Sequence, residues 1–399
     1  MKSGLKEKIF RLKWKDLPHC FIFLLALPCS YFFRHCRPAL WLFCEYENEA
    51  RDNAYWLFKY TREHHPEQDA VYAINKKSID YKKIEPVGEC VQYGSFKHWI
   101  YYLSAQVNIS SQKGGKPNAA LCYFLEVNKI LRNRRVFIQH GVVMNALPYL
   151  YKKNAQLTML TCTCDREYKF ILETFGYPTE AVKKTGLCRF DALPTVPTET
   201  PERIILIASS WRQTLTGLSA EAFQKSGFFN SWSMVLQDHY LGKLLERYDC
   251  KLFFYLHREL HAHENSFQVS NKRIEILHNQ ENAIGTYLKK ASLLISDYSS
   301  VTIDFAYMNK PLLYYQPDAK QFFTEHLGKG YFNYELDGFG KVCRNLTSLL
   351  TMLEKLLSRN FMVEKLYSQR RDNFFSFYDQ QNCERVYQAI TTLKRSKSV

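Results

Sequence analysis

Residues 291–315 read ASLLISDYSSVTIDFAYMNKPLLYY. The apolar run SLLIS has the length of a buried strand, and the small polar stretch SDYSS ends it. Val301, Ile303, Phe305, Ala306 and Met308 then recur as on a largely buried helix, which stops at Lys310-Pro311 before a second apolar run, PLLYY. Strand, turn, helix, strand is the repeating unit of a parallel sheet. Ser299 or Ser300 falls at the helix start, where a hydroxyl can accept a bond from an unpaired backbone N–H. The same helix start offers N–H donors and the positive end of the helix dipole, a setting for an anion such as a diphosphate. The sequence leaves both readings open. On the second reading Ser296, Asp297, Ser299, Ser300 and Asp304 form a substrate-binding set. Within it Asp297 orients the loop, because it would repel a phosphate, and Asp304 is placed for a ligand hydroxyl.

Outward from this junction the same alternation fills the chain. ALWLFCE, AVYAI, QVNISS, RRVFIQ and LTMLTC read as strands, interleaved with helical patterns at ARDNAYWLFKYTREH, SFKHWIYYLSA and DREYKFILETFG. FDALPTVPTETPER, residues 190–203, can continue neither helix nor central strand and reads as a linker. The alternation restarts beyond it with RIILIAS, KLFFYL, RIEIL, SLLIS and PLLYY, and helices close the chain. The expected class is α/β, with two Rossmann-like domains facing a cleft in which ligands sit at the carboxyl ends of strands. The expected boundaries are 38–192 for the first domain, 203–380 for the second, and 381–399 for a C-terminal helix and basic tail.

A chain of 399 residues is long for one hydrophobic core, which agrees with two domains. Lys and Arg number 54 against 39 Asp and Glu, so the formal charge is +15 and an anionic partner is expected. The basic residues form no continuous stripe with interleaved aromatics and no nucleic-acid module is present, which argues against nucleic acid as that partner. The 12 cysteines lack the spacing of a zinc site or a disulfide framework and read as reduced thiols of a cytosolic protein. Residues 1–37 combine a basic stretch with FIFLLALPCSYFF at 21–33. Thirteen apolar residues broken by Pro28 are too few to span a bilayer. An interfacial anchor on anionic headgroups is the expectation, against an ordinary buried helix.

Other polar residues follow strands. His140 and Gly141 follow FIQ, and a histidine that titrates near neutrality suits a general base, a satisfied structural histidine being the alternative. His257 and Arg258 follow FFYL and could neutralise a leaving phosphate. Arg212 follows IASSW and Arg189 precedes the linker, completing a cationic funnel for a phosphorylated donor. His257, His261 and His263 lack a closing ligand set, so no metal site is expected.

The motifs RDN (51–53), QHG (139–141), TGLCRFD (185–191), SSWR (209–212), YLHRE (255–259), SDYSSVTIDFAYMNKPLLYYQPD (296–318) and KGYFNYELDGFG (329–340) resemble those of the CDP-glycerol glycerophosphotransferases, which include teichoic acid and capsule polymerases. The likeness runs from about residue 39 to about 345. It implies a GT-B-like fold and transfer of glycerol phosphate or ribitol phosphate from a CDP-alditol to a hydroxyl of a polyprenyl-linked or glycan acceptor, with release of CMP. On this resemblance His140 is the base, His257 stabilises the donor phosphates, Arg212, Ser299 and Ser300 hold the pyrophosphate, and Asp304 contacts the donor. It further implies peripheral attachment at the cytoplasmic face of the cell membrane. No cofactor is required, and a divalent cation has no support in the sequence. HGVVMNAL after His140, and Arg258 where the family has proline, depart from the usual pattern beside the chemistry, which leaves acceptor and alditol open. A glycosyltransferase of the same architecture is the alternative.

Overall fold

The computed structural model describes residues 13–195, 203–278, 284–325 and 330–393. The first twelve residues of the basic N-terminal stretch, half of the linker (196–202) and the basic tail (394–399) lie outside them. The chain forms two compact units. Unit 1 comprises residues 1–142, 147–192 and 376–399; unit 2 comprises 143–146 and 193–375.

The sheet of unit 1 has seven strands: β1 (Trp41–Cys44), β2 (Ala70–Ile74), β3 (Cys90–Gln92), β4 (Val107–Ser110), β5 (Arg135–Phe137), β6 (Met159–Cys162) and β7 (Val182–Lys184). They lie in the order 3-2-1-4-5-6-7, every neighbouring pair parallel. Unit 2 repeats the scheme with β8 (Ile204–Ala208), β9 (Lys251–Tyr255), β10 (Ile274–Leu277), β11 (Leu293–Ser296), β12 (Leu312–Tyr315) and β13 (Gly340–Cys343), in the order 10-9-8-11-12-13, again all parallel. Strands covered on both faces must be apolar throughout, and the central ones are: WLFC, AVYAI, IILIA, LLIS and LLYY are buried at every position. In each unit the strand order reverses once, between β1 and β4 and between β8 and β11. A ligand site is expected outside the carboxyl ends of those strands.

Two features depart from the sequence reading. Helix α1 runs from Leu17 to Cys36, straight through Pro28, and is not broken there. A mid-helix proline costs about 3 kcal/mol, and packing against α3 (Phe96–Ser104) offsets that cost. Phe23 meets Trp99 edge-on at 5.6 Å, Phe33 stacks on Tyr101 at 4.9 Å, and Arg34 donates to the Leu103 carbonyl at 2.9 Å. With the short turn before it the helix covers Trp14–Cys36, long and apolar enough to cross a membrane by length and composition, although its inner face is committed to α3. The second departure lies at the C-terminus. The last helix, Asn382–Thr391, belongs to unit 1, not to a separate tail, and the second unit ends at Phe375. Asp191 draws it there, accepting from the backbone N–H of Asn382 at 2.9 Å and of Cys383 at 2.7 Å. Tyr387 then stacks on His65 at 3.6 Å.

Candidate functional site

In unit 1 the polar residues after β1, β4 and β5 form one hydrogen-bonded network. Helix α2 (Asn53–His64) begins directly over the end of β1, and its N-cap is Asp52. Glu45, the residue after β1, is fully buried and accepts backbone N–H groups from Arg51, Asp52 and Tyr55 at 2.9–3.1 Å. Burial, reinforced by the Asp52 charge, pushes the Glu45 carboxyl up to about 8 against those three donors, which favour its anion.

The carboxylate of Asp52 receives Arg189 Nη1 at 2.8 Å on one oxygen and Gln112 Nε2 at 2.9 Å on the other. Arg189 Nη1 also donates to the backbone carbonyl of His140 at 2.8 Å. Asn53 closes the ring: its Nδ2 donates to the Gln139 carbonyl at 2.8 Å and its Oδ1 accepts from the Arg189 N–H at 2.9 Å. The RDN, QHG and CRFD motifs are therefore one object in space. Its product is an exposed His140 imidazole on a clamped backbone, with buried Gly141 behind it. The clamp also holds Gln139 in the left-handed region, φ +61°, with its amide buried and unpaired. Strained backbone of this kind is concentrated at functional sites.

In unit 2 the network is built on Arg212. Its side chain is buried between Asp297, whose Oδ2 accepts from Nη2 at 3.0 Å, and Asp318, whose Oδ2 accepts from Nε and Nη2 at 3.0 and 2.9 Å. Burial works against its charge, but the two carboxylates outweigh it and raise the guanidinium above its usual range. Nη1 turns back to the carbonyls of Ser210 and Trp211 and to the Ser210 hydroxyl. The rings of Tyr298 and Phe322 cover the guanidinium, 5.0 and 4.7 Å from its carbon. Asp297 Oδ1 also accepts the N–H groups of Ser210 and Tyr298, and the Tyr298 hydroxyl donates to Asp318 at 2.9 Å. The loops after β8 and β11 are thus tied together at the point where the strand order reverses.

The expected substrate residues divide accordingly. Arg212, expected at the pyrophosphate, has its donors turned to Asp297, Asp318 and the Ser210–Trp211 backbone. Ser296 is fully buried and donates to the Ala208 carbonyl at 2.5 Å, so it serves the sheet and not a ligand. Asp297 and Asp304 are buried as well. Ser299 and Ser300 are half-buried at the start of α4 (Val301–Tyr307). Ser300 occupies the N-cap without a side-chain capping bond, and only Ser299 Oγ reaches a backbone donor, Val301 N, at 3.4 Å. His257 is half-buried, tilted 24° from the Trp211 ring at 6.2 Å, and its Nδ1 accepts the Glu259 N–H at 3.3 Å, which places the neutral ring's proton on Nε2. Arg258 pairs with Glu259 at 3.4 Å. His263 stacks on Phe223 at 4.1 Å and is a core residue. Among the described residues no group of three or more His, Cys, Asp or Glu is placed to hold a metal ion.

The model of the CDP-glycerol:poly(glycerophosphate) glycerophosphotransferase family matches residues 29–392. The chain belongs to this family. It is 28% identical over 373 residues to the minor teichoic acid biosynthesis protein GgaB of Bacillus subtilis, covering 90% of this chain and 40% of GgaB. It is 24% identical over 240 residues to the teichoic acid ribitol-phosphate polymerase TarK of Staphylococcus aureus, covering 56% of this chain and 43% of TarK. The chain spans well under half the length of these curated relatives. In structure it is similar to the wall teichoic acid polymerase TagF, with a TM-score of 0.68 at 15% identity and full coverage of both chains. It is also similar to a putative UDP-N-acetylglucosamine 2-epimerase from Listeria monocytogenes, with a TM-score of 0.55 at 14% identity over 88% of this chain and 95% of that one. These structural likenesses establish the two-domain Rossmann-like architecture. The RDN and SSWR motifs acquire a structural reason here: Asp52 and Asn53 hold the backbone that presents His140, and Arg212 holds the loops after β8, β11 and β12.

Replacing Arg212 by methionine leaves buried Asp297 and half-buried Asp318 without their shared cation, so a loss of about 3 kcal/mol in stability is expected. Urea unfolding of the variant checks this. An unchanged midpoint would show that the pair does not hold the loops.

Proposed function

We propose that this family member transfers an alditol phosphate from a CDP-alditol to a hydroxyl of a membrane-linked or glycan acceptor and releases CMP. The observation that carries the reading is His140: its imidazole is exposed at a strand end while its backbone is clamped through Arg189 to Asp52. A base held on fixed backbone, with its ring open to solvent, suits deprotonation of an incoming hydroxyl.

The acceptor oxygen attacks the phosphorus that bears the alditol. Its proton passes to His140, a new P–O bond forms, and the bond from that phosphorus to the bridging oxygen of CMP breaks. CMP departs with the electron pair, and the charge that develops on it needs donors. His257, with its proton on Nε2, and the hydroxyls and N–H groups at Ser299 and Ser300 supply them. Arg212 acts one step back, by holding the loop that carries Ser299 and Ser300. The donor is a cytidine diphosphate ester of glycerol or ribitol; solved TagF structures include one soaked with CDPG. His140→Ala is expected to reduce CMP release by at least about a hundred-fold while the unfolding midpoint stays unchanged. Turnover like wild type in that variant would remove His140 from the mechanism.

The same reading places the protein on the cytoplasmic face of the membrane. The outer face of α1 exposes Phe21, Leu24, Leu25 and Phe32, with Lys13 and Lys15 at its start. Apolar side chains in the acyl boundary and cations on anionic headgroups are the two contributions an interfacial helix needs. Replacing Phe21, Leu25 and Phe32 by serine is expected to release the protein from sedimented vesicles of phosphatidylglycerol. Unchanged co-sedimentation would rule α1 out as the contact.

A further inference from the structure

The short helical turn Cys188–Ala192 follows β7 and carries side chains that reach in two directions. Arg189 faces the candidate base: its backbone N–H donates to Asn53 Oδ1, and its Nη1 donates to Asp52 and to the His140 carbonyl. Asp191, two residues on, faces the last helix, Asn382–Thr391. Its Oδ1 accepts from the N–H and from Nδ2 of Asn382 at 2.9 and 2.6 Å, and its Oδ2 accepts from the N–H of Cys383 at 2.7 Å. A helix leaves its first N–H groups without partners inside the helix. Gln381, at the N-cap, makes no side-chain capping bond, so the carboxylate of Asp191 supplies the cap from outside, at the positive end of the helix.

The turn and the helix fit closely around this cap. Cys383 Sγ donates to the Cys188 carbonyl at 3.5 Å, Arg385 Nε to the Thr185 carbonyl at 3.0 Å, and Arg385 Nη2 to Asn382 Oδ1 at 2.8 Å. Gly186 has φ +79°, and a Cβ there would overlap Asn382 Oδ1, so the approach needs glycine. Asn382 is fully buried in the contact. Behind it Val386, Tyr387 and Ile390 anchor the helix in the same core as Trp41 and Phe43 of β1. The strand that feeds the turn is a weaker support. β7 has three residues and lies at the edge of the sheet, where local stability is low.

We propose that Asp191 and Asn382 are positioning residues for the base: the last helix fixes the turn Cys188–Ala192, and the turn fixes Arg189 and with it the backbone of His140. The inference rests on the role of His140 proposed above and adds the element that sets its place. A displacement of about 1 Å at a reacting group can cost a hundred-fold in rate. A slackened turn therefore lowers kcat. Donor affinity is spared, because the groups proposed to meet the donor phosphates belong to unit 2.

The test uses the full chain, CDP-glycerol or CDP-ribitol as donor and a synthetic glycerol phosphate trimer as acceptor, at a temperature where circular dichroism shows each variant folded. Asp191→Ala is expected to lower kcat at least about ten-fold, with the donor KM within about two-fold of wild type. Asp191→Asn, which keeps one acceptor oxygen for the helix, is expected to recover most of that loss. Asn382→Ala keeps both backbone bonds to Asp191; it is expected to lower kcat about three-fold and stands in if Asp191→Ala does not fold. Tyr60→Phe loosens the helix away from the turn, by removing the 2.8 Å bond to Glu384, and is expected to leave kcat within about two-fold of wild type. A wild-type kcat in the folded Asp191 and Asn382 variants overturns the proposal, as does an equal kcat loss in Tyr60→Phe. A readout independent of turnover is the ring resonance of His140 in protein labelled with nitrogen-15 histidine, assigned by its disappearance in His140→Ala. It is expected to shift in Asp191→Ala and to stay in place in Tyr60→Phe. If wild-type protein releases no CMP from either donor, the transfer reading fails by itself. An unmoved His140 resonance in Asp191→Ala overturns the positioning role in either case.

Discussion

A buried arginine between two aspartates fixes the part of the molecule on which the proposed donor chemistry depends. Arg212 reaches Asp297 on the loop after β11 and Asp318 after β12 while its own residue follows β8. Three strand ends are thereby held in one register. A pair of this kind is costly to form, because each charge must leave water, and costly to break from one side. It therefore specifies a single arrangement of the SDYSS loop more than it stabilises the fold. Tyr298 adds to the constraint by covering the guanidinium and donating to Asp318, and Tyr334 donates to the Tyr298 carbonyl at 3.2 Å. With the loop held from behind, Ser299 and Ser300 are left at its half-buried edge.

Unit 1 solves the same problem with a different set of groups. Asp52, Asn53 and Arg189 tie the backbone of Gln139 and His140 through neutral and charged hydrogen bonds, and the side chain of His140 takes no part in that tie. In both units the geometry of a parallel sheet puts these residues at strand ends, and buried or half-buried polar groups behind them orient them. Rigid support behind an exposed reacting group is what positional catalysis requires.

Much of this was legible in the sequence, for stated reasons. Long apolar runs such as IILIA and LLIS can only be central parallel strands, and the Pro- and Thr-rich break falls where the chain passes from one unit to the other. The strands that escaped, Cys90–Gln92, Val182–Lys184 and Gly340–Cys343, all lie at sheet edges, where strands are short and need little apolar content. Pro28 misled because its local cost is visible in sequence while the compensating contact with Trp99 and Tyr101 is not. His140, His257 and the serine pair stand out as candidates from residue type after a strand. The supporting residues Glu45, Asp52, Asn53, Gln139 and Asp318 were not, since each acts through a partner as many as 137 positions away, the separation of Asp52 and Arg189. The RDN and QHG motifs and the block at 296–318 contain four of them, Asp52, Asn53, Gln139 and Asp318, but show no partner for any.

The central claim is the bond that is made. The direct measurement is phosphorus NMR of the product formed when the protein is incubated with CDP-glycerol or CDP-ribitol and a hydroxyl-ended acceptor. The expected result is a new phosphodiester resonance that grows in step with CMP from one of the two donors. A product without that resonance, or a glycosidic linkage formed from a sugar nucleotide instead, would contradict alditol phosphate transfer and leave only the fold in place.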